Sequence, residues 1–249
     1  MMSDPSRRRR AAITGGSSGI GLATGLMMVE SGYDVVSMDV TAPQDSGLAY
    51  VRTDVRDPAM VESSMEAVVS ELGGLDVLVN SAGISSVGAV EANSDEEWLA
   101  SLDVNVIGVA RVTRSALPHL REGEGPVVVN LASVASHTGI PNRVIYSATK
   151  GAVLAMTLAM ATDYLTEGIR VNAVAPGTVD TPWVARLLDK ADDPITARQA
   201  LEARQPIGRL VTAQEVALAI CYLADPRAGS ATGTVLDVDG GMHRLAPPR

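Results

Sequence analysis

Tyr146 and Lys150 stand four residues apart, the spacing that puts two side chains on one face of a helix about a turn apart. A free phenol titrates near ~10 and is a poor base at neutral pH. An ammonium beside it favours the phenolate, and a positively charged redox cofactor adds to that pull. Such a phenolate can take the hydroxyl proton of a secondary alcohol while hydride leaves the same carbon; in reverse it serves as the acid. The chain contains only two lysines, Lys150 and Lys190. Arg cannot imitate a compact, tunable ammonium, so a lysine here suits the chemistry, although an Arg-biased composition also accounts for the count. His119, His137 and His243 are scattered, with no spacing like that of zinc ligands, so no metal site is expected. No nucleophile-elbow motif surrounds Ser133.

Hydride chemistry needs a carrier, and the N-terminal region offers a place for one. The run Thr14-Gly15-Gly16-Ser17-Ser18-Gly19-Ile20-Gly21 follows a strand-like segment and opens a helix-like one. Glycines there allow a tight turn and bring backbone amides against a pyrophosphate at a helix N-terminus. By itself such a loop also fits an ordinary strand–helix turn. Asp39 ends the second strand, 18 residues beyond Gly21. Its carboxylate can accept hydrogen bonds from the adenosine ribose and would repel a 2′-phosphate. No Arg or Lys occupies the loop or the positions just after Asp39, so NAD is expected rather than NADP.

The elements that must position these groups alternate in type. Ala11–Thr14, Asp34–Asp39, Leu48–Arg52, Val77–Asn80, Val127–Leu131, Val171–Ala175 and Thr234–Val238 read as buried strands. Gly19–Ser31, Pro58–Leu72, Asp95–Leu120, Tyr146–Glu167 and Ala213–Leu223 read as helices. Strands apolar throughout fit a parallel sheet covered on both faces. The alternation implies right-handed crossovers and a doubly wound, Rossmann-like α/β sheet in a single domain over residues 1–249. The stretch Thr181–Arg209 carries Pro182, Pro194 and Pro206, breaks the rhythm, and follows a strand; it reads as a substrate lid.

Composition narrows the classes of function. A formal charge of −9 speaks against a nucleic-acid partner. The Arg7–Arg10 run reads as a solvated arm leading into the first strand. With no Phe and 3% aromatics, the core must be aliphatic. The lone Cys221 has no internal disulfide partner and sits in an apolar run, so a reducing compartment is expected. No apolar stretch reads as a membrane span of ~20 residues, and the basic start is not followed by a signal-peptide core, so the expectation is a cytoplasmic protein.

Taken in order, several motifs resemble the short-chain dehydrogenase/reductase family over nearly the whole chain, from about Arg10 to Met242. They are TGGSSGIG at Thr14–Gly21, Asp54-Val55, NSAG at Asn80–Gly83, Asn105, Ser133, YSATK at Tyr146–Lys150 and PGTVDT at Pro176–Thr181. The resemblance implies that Asp54 and Val55 hold the adenine, that Asn80, Ala82 and Gly83 line the ribose side, and that Pro176, Gly177, Val179 and Thr181 contact the nicotinamide half. It implies a hydrogen bond from Ser133 to the substrate oxygen, a Lys150 that also holds the nicotinamide ribose, and an Asn105 that anchors a water relay behind Lys150. It also implies a homotetramer or homodimer paired through the long helices. Ser81 departs from the pattern, where a second Asn is commoner.

Towards the C-terminus PGTVDTPW, Ala197-Arg198-Gln199, Glu202–Pro206 and Gly208-Arg209 resemble 2-keto-3-deoxy-L-fuconate and cytosolic type-2 3-hydroxybutyrate dehydrogenases, which oxidise small acids. Arg143, three residues before Tyr146, and Arg186 and Arg204 in the lid are then candidate clamps for a carboxylate; the competing account is surface arginines. Trp183 at the start of the lid could instead serve an acyl, steroid or aromatic substrate. A third reading is a catalytically silent NAD-binding sensor.

Overall fold

The computed structural model describes residues 7–189, 191 and 193–246. Seven strands form one sheet: β1 (Arg10–Thr14), β2 (Asp34–Asp39), β3 (Ala49–Arg52), β4 (Val77–Asn80), β5 (Val127–Leu131), β6 (Arg170–Pro176) and β9 (Val235–Val238). Their spatial order is β3-β2-β1-β4-β5-β6-β9, and every neighbouring pair is parallel. The chain starts mid-sheet, runs outward to β3, then crosses back to β4 beside β1. Between β1 and β4 the order reverses, and a crevice opens beyond the carboxyl ends of the strands.

Alternation along each strand divides the core into two layers. Ile13, Val79 and Val129 face Met28 of α1 (Gly19–Glu30) and Val216 and Ile220 of α8 (Ala213–Ala224). Ala12, Leu78 and Val128 face the opposite way. They meet Met65 of α2 (Pro58–Leu72), Val112 of α4 (Gly108–Arg121) and Ala161 of α5 (Val144–Asp163). Local chemistry sets the ends. Asp57 caps α2 by accepting from the Ala59 and Met60 amides at 3.0 and 3.1 Å, Pro58 opens it, and Gly73 closes it in the left-handed region.

Three expectations change. The single helix over 95–120 is α3 (Asp95–Leu102), a π-turn at Asp103–Ile107, and α4. The Arg7–Arg10 run is no solvated arm. Arg7 and Arg10 pair with buried Asp76 at 3.0 and 2.8 Å, Arg8 pairs with Asp34, and Arg9 donates to the Ala224 carbonyl. Third, Val144–Asp163 has 20 residues and a mean hydropathy of 1.4, long and apolar enough for a bilayer. Here it packs on the sheet, with Ile145, Val153 and Thr157 buried.

The irregular segment is built of α6 (Pro182–Leu188) and α7 (Pro194–Ala203). It is bracketed by a short parallel pair, β7 (Val179–Asp180) and β8 (Val211–Thr212), that the sequence reading did not anticipate. Val184, Leu188, Leu201 and Leu210 give it a small core of its own. Lys190 and Asp192 in this segment lie outside the described residues.

Candidate active site

Two cavities meet beyond the carboxyl ends of the strands. The larger, about 530 Å³, runs past Gly15, Ser18, Gly19, Ile20 and Gly21 to Asp39, Asp54 and Val55, and along Ala82 and Gly83. The smaller, about 160 Å³, is walled by Ser133, Arg143, Tyr146, Pro176, Gly177, Val179 and Arg204. Ile20, Leu131, Thr181 and Trp183 line both, so the two are continuous.

The larger cleft fits a dinucleotide. A Cβ at Gly21 would overlap the Gly15 carbonyl oxygen, so only glycine lets α1 begin this close to the loop. The open amino end of α1 and the loop amides then face the cleft as a place for a pyrophosphate. Asp39 is oriented at its far end, its carboxylate accepting from the amides of Ser17 and Thr41 at 3.1 and 3.3 Å. Not every expected contact is available. The Ser17 hydroxyl is buried against that of Ser37 at 3.0 Å. The Asn80 side chain points under the sheet, donating to Asn130 at 2.9 Å and Thr113 at 3.1 Å, so it braces strands rather than lining a ribose. Asp54 is bound by Arg56, whose guanidinium approaches to 2.6 Å and holds the carboxyl below its ordinary range against a burial effect that raises it. Arg56 itself lines the cleft, a cation near the adenosine end that scanning only the positions after Asp39 overlooks. Arg186 also belongs to this cleft rather than to the smaller cavity, because α6 turns it outward.

Around the smaller cavity the four expected catalytic residues converge from three elements, the π-turn, the segment after β5, and α5. The π-turn changes the phase of the helix and turns Asn105 inward, where it is 1% exposed. Asn105 accepts from the Ile84 amide at 2.8 Å, and donates to the Ile84 carbonyl at 2.8 Å and to Thr149 Oγ1 at 3.0 Å. Thr149 in turn donates to the Tyr146 carbonyl at 2.9 Å. Ser133 follows β5, where its hydroxyl accepts from the Ala135 amide at 3.2 Å. Ser136 Oγ accepts from the Ser133 amide at 3.2 Å and donates to the Lys150 carbonyl at 2.9 Å, tying that loop to α5. Leu131, Ser136 and Thr149 carried no signal in the sequence that would have marked them.

The electrostatics differ from the simple Tyr–Lys picture. Burial pushes the Tyr146 phenol above its ordinary value, an effect only partly offset by the nearby Ser133 hydroxyl and the charge of Arg143. Lys150 Nζ lies 5.8 Å from the Tyr146 ring centre and donates to the Leu131 carbonyl at 2.6 Å. Its own burial lowers it to about 8. Arg143, expected only to bind substrate, is thus a cation whose charge also eases ionisation of Tyr146. Arg143 donates to Ser85 Oγ at 2.9 Å and lies over the Trp183 ring at 5.8 Å. Among the described residues neither Arg143 nor Arg204 has a carboxylate partner.

A doubly wound parallel sheet whose crevice joins a glycine-rich loop to a half-buried tyrosine beside a buried lysine defines a nicotinamide-dependent oxidoreductase of the Rossmann type. The profile of the family described as "Enoyl-(Acyl carrier protein) reductase" matches residues 15–243. The chain is 40% identical over 251 residues to cis-4-hydroxycyclohexanecarboxylate dehydrogenase of Sinomonas cyclohexanicum, covering 96% of this chain and 98% of that one. Aldohexose dehydrogenase of Thermoplasma acidophilum superposes with a TM-score of 0.92 at 34% identity, covering 97% of each chain. A variant of actinorhodin polyketide ketoreductase with NADPH superposes with a TM-score of 0.89 at 34% identity, covering 95% of this chain and 98% of that one.

The chain belongs to the short-chain dehydrogenase/reductase family. It is an oxidoreductase of secondary alcohols and ketones that uses a nicotinamide cofactor.

Proposed function

We propose that this protein is an NAD-dependent dehydrogenase of a small hydroxy acid or sugar acid, with Tyr146, Lys150, Ser133 and Asn105 as its working residues. One observation carries the substrate class. Arg143 and Arg204 share a cavity of about 160 Å³ with Tyr146 and Ser133, and among the described residues no carboxylate neutralises either cation. Arg143 is half-buried and Arg204 exposed, and two cations without a carboxylate on the wall of one cavity are best satisfied by an anion that enters with the substrate. The similarity to a hydroxycyclohexanecarboxylate dehydrogenase points the same way.

The residues divide the work. Arg143 and Arg204 seat the carboxylate, and Trp183 with Val184 covers the apolar body of the substrate. Ser133 steadies the reacting oxygen, and Tyr146 takes its proton. Lys150 holds the ribose, and Asn105 keeps the turn carrying Thr149 and Tyr146 in place. A bound nicotinamide would supply the acceptor for the hydride that leaves the carbon bearing that oxygen. Asp39 favours the unphosphorylated adenosine ribose, and Arg56 is already committed to Asp54. We place the protein in the cytoplasm, in keeping with a single thiol that burial pushes up to about 11. It works there as a homotetramer or homodimer, for which exposed Leu158 supplies apolar surface on the outer side of α5.

The test is NADH formation across a panel of hydroxy acids, their methyl esters, sugars and long-chain 3-hydroxyacyl thioesters. Acids should outperform their esters, and Tyr146→Phe should lower kcat by about 10²–10⁴, the usual worth of a general base. Arg143→Leu and Arg204→Leu should each raise KM for acids by about tenfold or more, since a charged hydrogen bond is worth ~1.5–3 kcal/mol. Unchanged KM for every acid would remove the clamp. Asp39→Ser should raise the ratio of NADP to NAD turnover.

A second reading rests on the apolar lid wall around Trp183 and on the NADPH-bound polyketide ketoreductase. It would be supported if thioesters with NADPH turned over fastest. Binding of NAD without turnover on any of the panel would leave the silent sensor.

A further inference from the structure

Two of the three histidines, far apart in sequence, meet in space. His137 follows the loop after Ser133, His243 lies beyond the last strand, and Asp237 is on β9 itself. The His137 and His243 rings are 3.9 Å apart between centres, and one donor atom from each of the three residues lies within 4.8 Å of the others. This overturns the expectation that the histidines are scattered, because the parallel pairing of β6 with β9 brings the C-terminal turn alongside the β5 loop.

We propose that His137, Asp237 and His243 form a binding site for a divalent transition-metal ion such as Zn²⁺. His137 Nε2 lies 3.3 Å from Asp237 Oδ1. Both atoms are buried and neither makes a hydrogen bond of acceptable geometry. A tetrahedral ion with bonds of about 2.0–2.1 Å sets its ligand atoms about 3.3–3.4 Å apart, which matches this separation. The pair is thus spaced as two ligands are, wider than the 2.7–2.9 Å of a good charge-assisted hydrogen bond.

The surroundings are those of a supported site. His243 Nδ1 is 3.1 Å from Thr138 Oγ1, which leaves Nε2 free to ligate once Nδ1 carries the proton. Asp239 accepts from the amides of Gly241 and His243 at 2.8 and 2.7 Å and so shapes the turn that presents His243. Arg244 contacts only the second oxygen of Asp237, at 3.3 Å, leaving Oδ1 for the ion. Three protein ligands leave a fourth position for water. The ion would pin the segment after Ser133 to the turn holding Met242, both of which wall the smaller cavity. None of this depends on which alcohol the enzyme oxidises.

The test uses untagged, chelator-treated full-length protein titrated with Co²⁺ and Zn²⁺, followed by visible absorption, calorimetry and the imidazole proton signals. One Co²⁺ per chain should bind with bands of a low-coordinate ion, and Zn²⁺ should displace it. On Zn²⁺ addition the His137 and His243 signals should move while those of His119 stay put. His137→Gln and His243→Gln should each weaken binding at least tenfold, and His119→Gln should not. The absence of saturable binding below about 100 μM, or movement of His119 alone, would overturn the site without reference to any variant.

Discussion

Lys150 is the residue where chemistry and stability pull apart most clearly. Burial takes its ammonium from 10.5 to about 8 while it is 4% exposed. Above 10.5 the folded and unfolded chains both carry the neutral amine. As pH falls, the unfolded chain takes the proton first, so stability is lost progressively until about 8 and stays lost below it. At ~1.4 kcal/mol per pH unit the whole effect is about 3.5 kcal/mol. Lys150→Met should therefore gain stability relative to the parent near neutrality, with the gain shrinking as the pH is raised through that window, and should lose turnover at every pH. Urea unfolding of both proteins at several pH values measures the difference directly. A variant no more stable than the parent at neutral pH would show that the bond to the Leu131 carbonyl outweighs the cost of burying the charge.

At the scale of elements, the π-turn between α3 and α4 does what a regular helix would not. One extra residue in the turn swings Asn105 toward the Ile84 backbone and Thr149, far from the solvent-facing position expected for a polar residue in mid-helix. Asn105→Ala removes the partner of the Ile84 amide and carbonyl, at about 0.5–1.5 kcal/mol for each hydrogen bond. For a chain of this size that should lower Tm by roughly 2–4 °C per kcal/mol. Thr149 loses the donor that faces it as well, so kcat should fall further than the loss of folded protein explains. Calorimetry beside steady-state kinetics separates the two. An unchanged Tm would mean that water replaces the amide at no loss.

Across the whole molecule, Asp76 is the point where the N-terminus, the start of β4 and the end of α4 are tied together. Its carboxylate receives Arg7, Arg10 and the Glu124 amide. Burial pushes it up, but Arg10 and the amides prevail and hold it below the ordinary carboxylate range. A depressed carboxyl contributes stability that is complete above its ordinary value and is lost as pH falls through the lowered one. Asp76→Ala should cost about 1.5–3 kcal/mol at neutral pH, because it removes the charged hydrogen bonds that tie half-buried Arg10 and the Glu124 amide together. The deficit should narrow in acid, where the parent loses the same contribution; equal urea midpoints at neutral pH would contradict this.

The sheet and its flanking helices were legible before any coordinates because their signals are local. Apolar runs such as Val77–Asn80 and Val127–Leu131 match the observed strands residue for residue, and Pro58 and Gly73 mark both ends of α2. The glycine loop and the Tyr146–Lys150 spacing are local patterns as well, which is why the motifs pointed to the right family. Tertiary structure decided the rest, because those properties arise between segments remote in sequence. Asn80 turned under the sheet since its partners Asn130 and Thr113 come from β5 and α4. Arg143 came to act on the phenol, and Lys150 to donate to a carbonyl on β5, only when those elements met. His137 and His243 met only through the pairing of β6 with β9. Periodicity and spacing record how a chain folds on itself over a few turns; which side chains become neighbours depends on sheet order, and no single segment contains it.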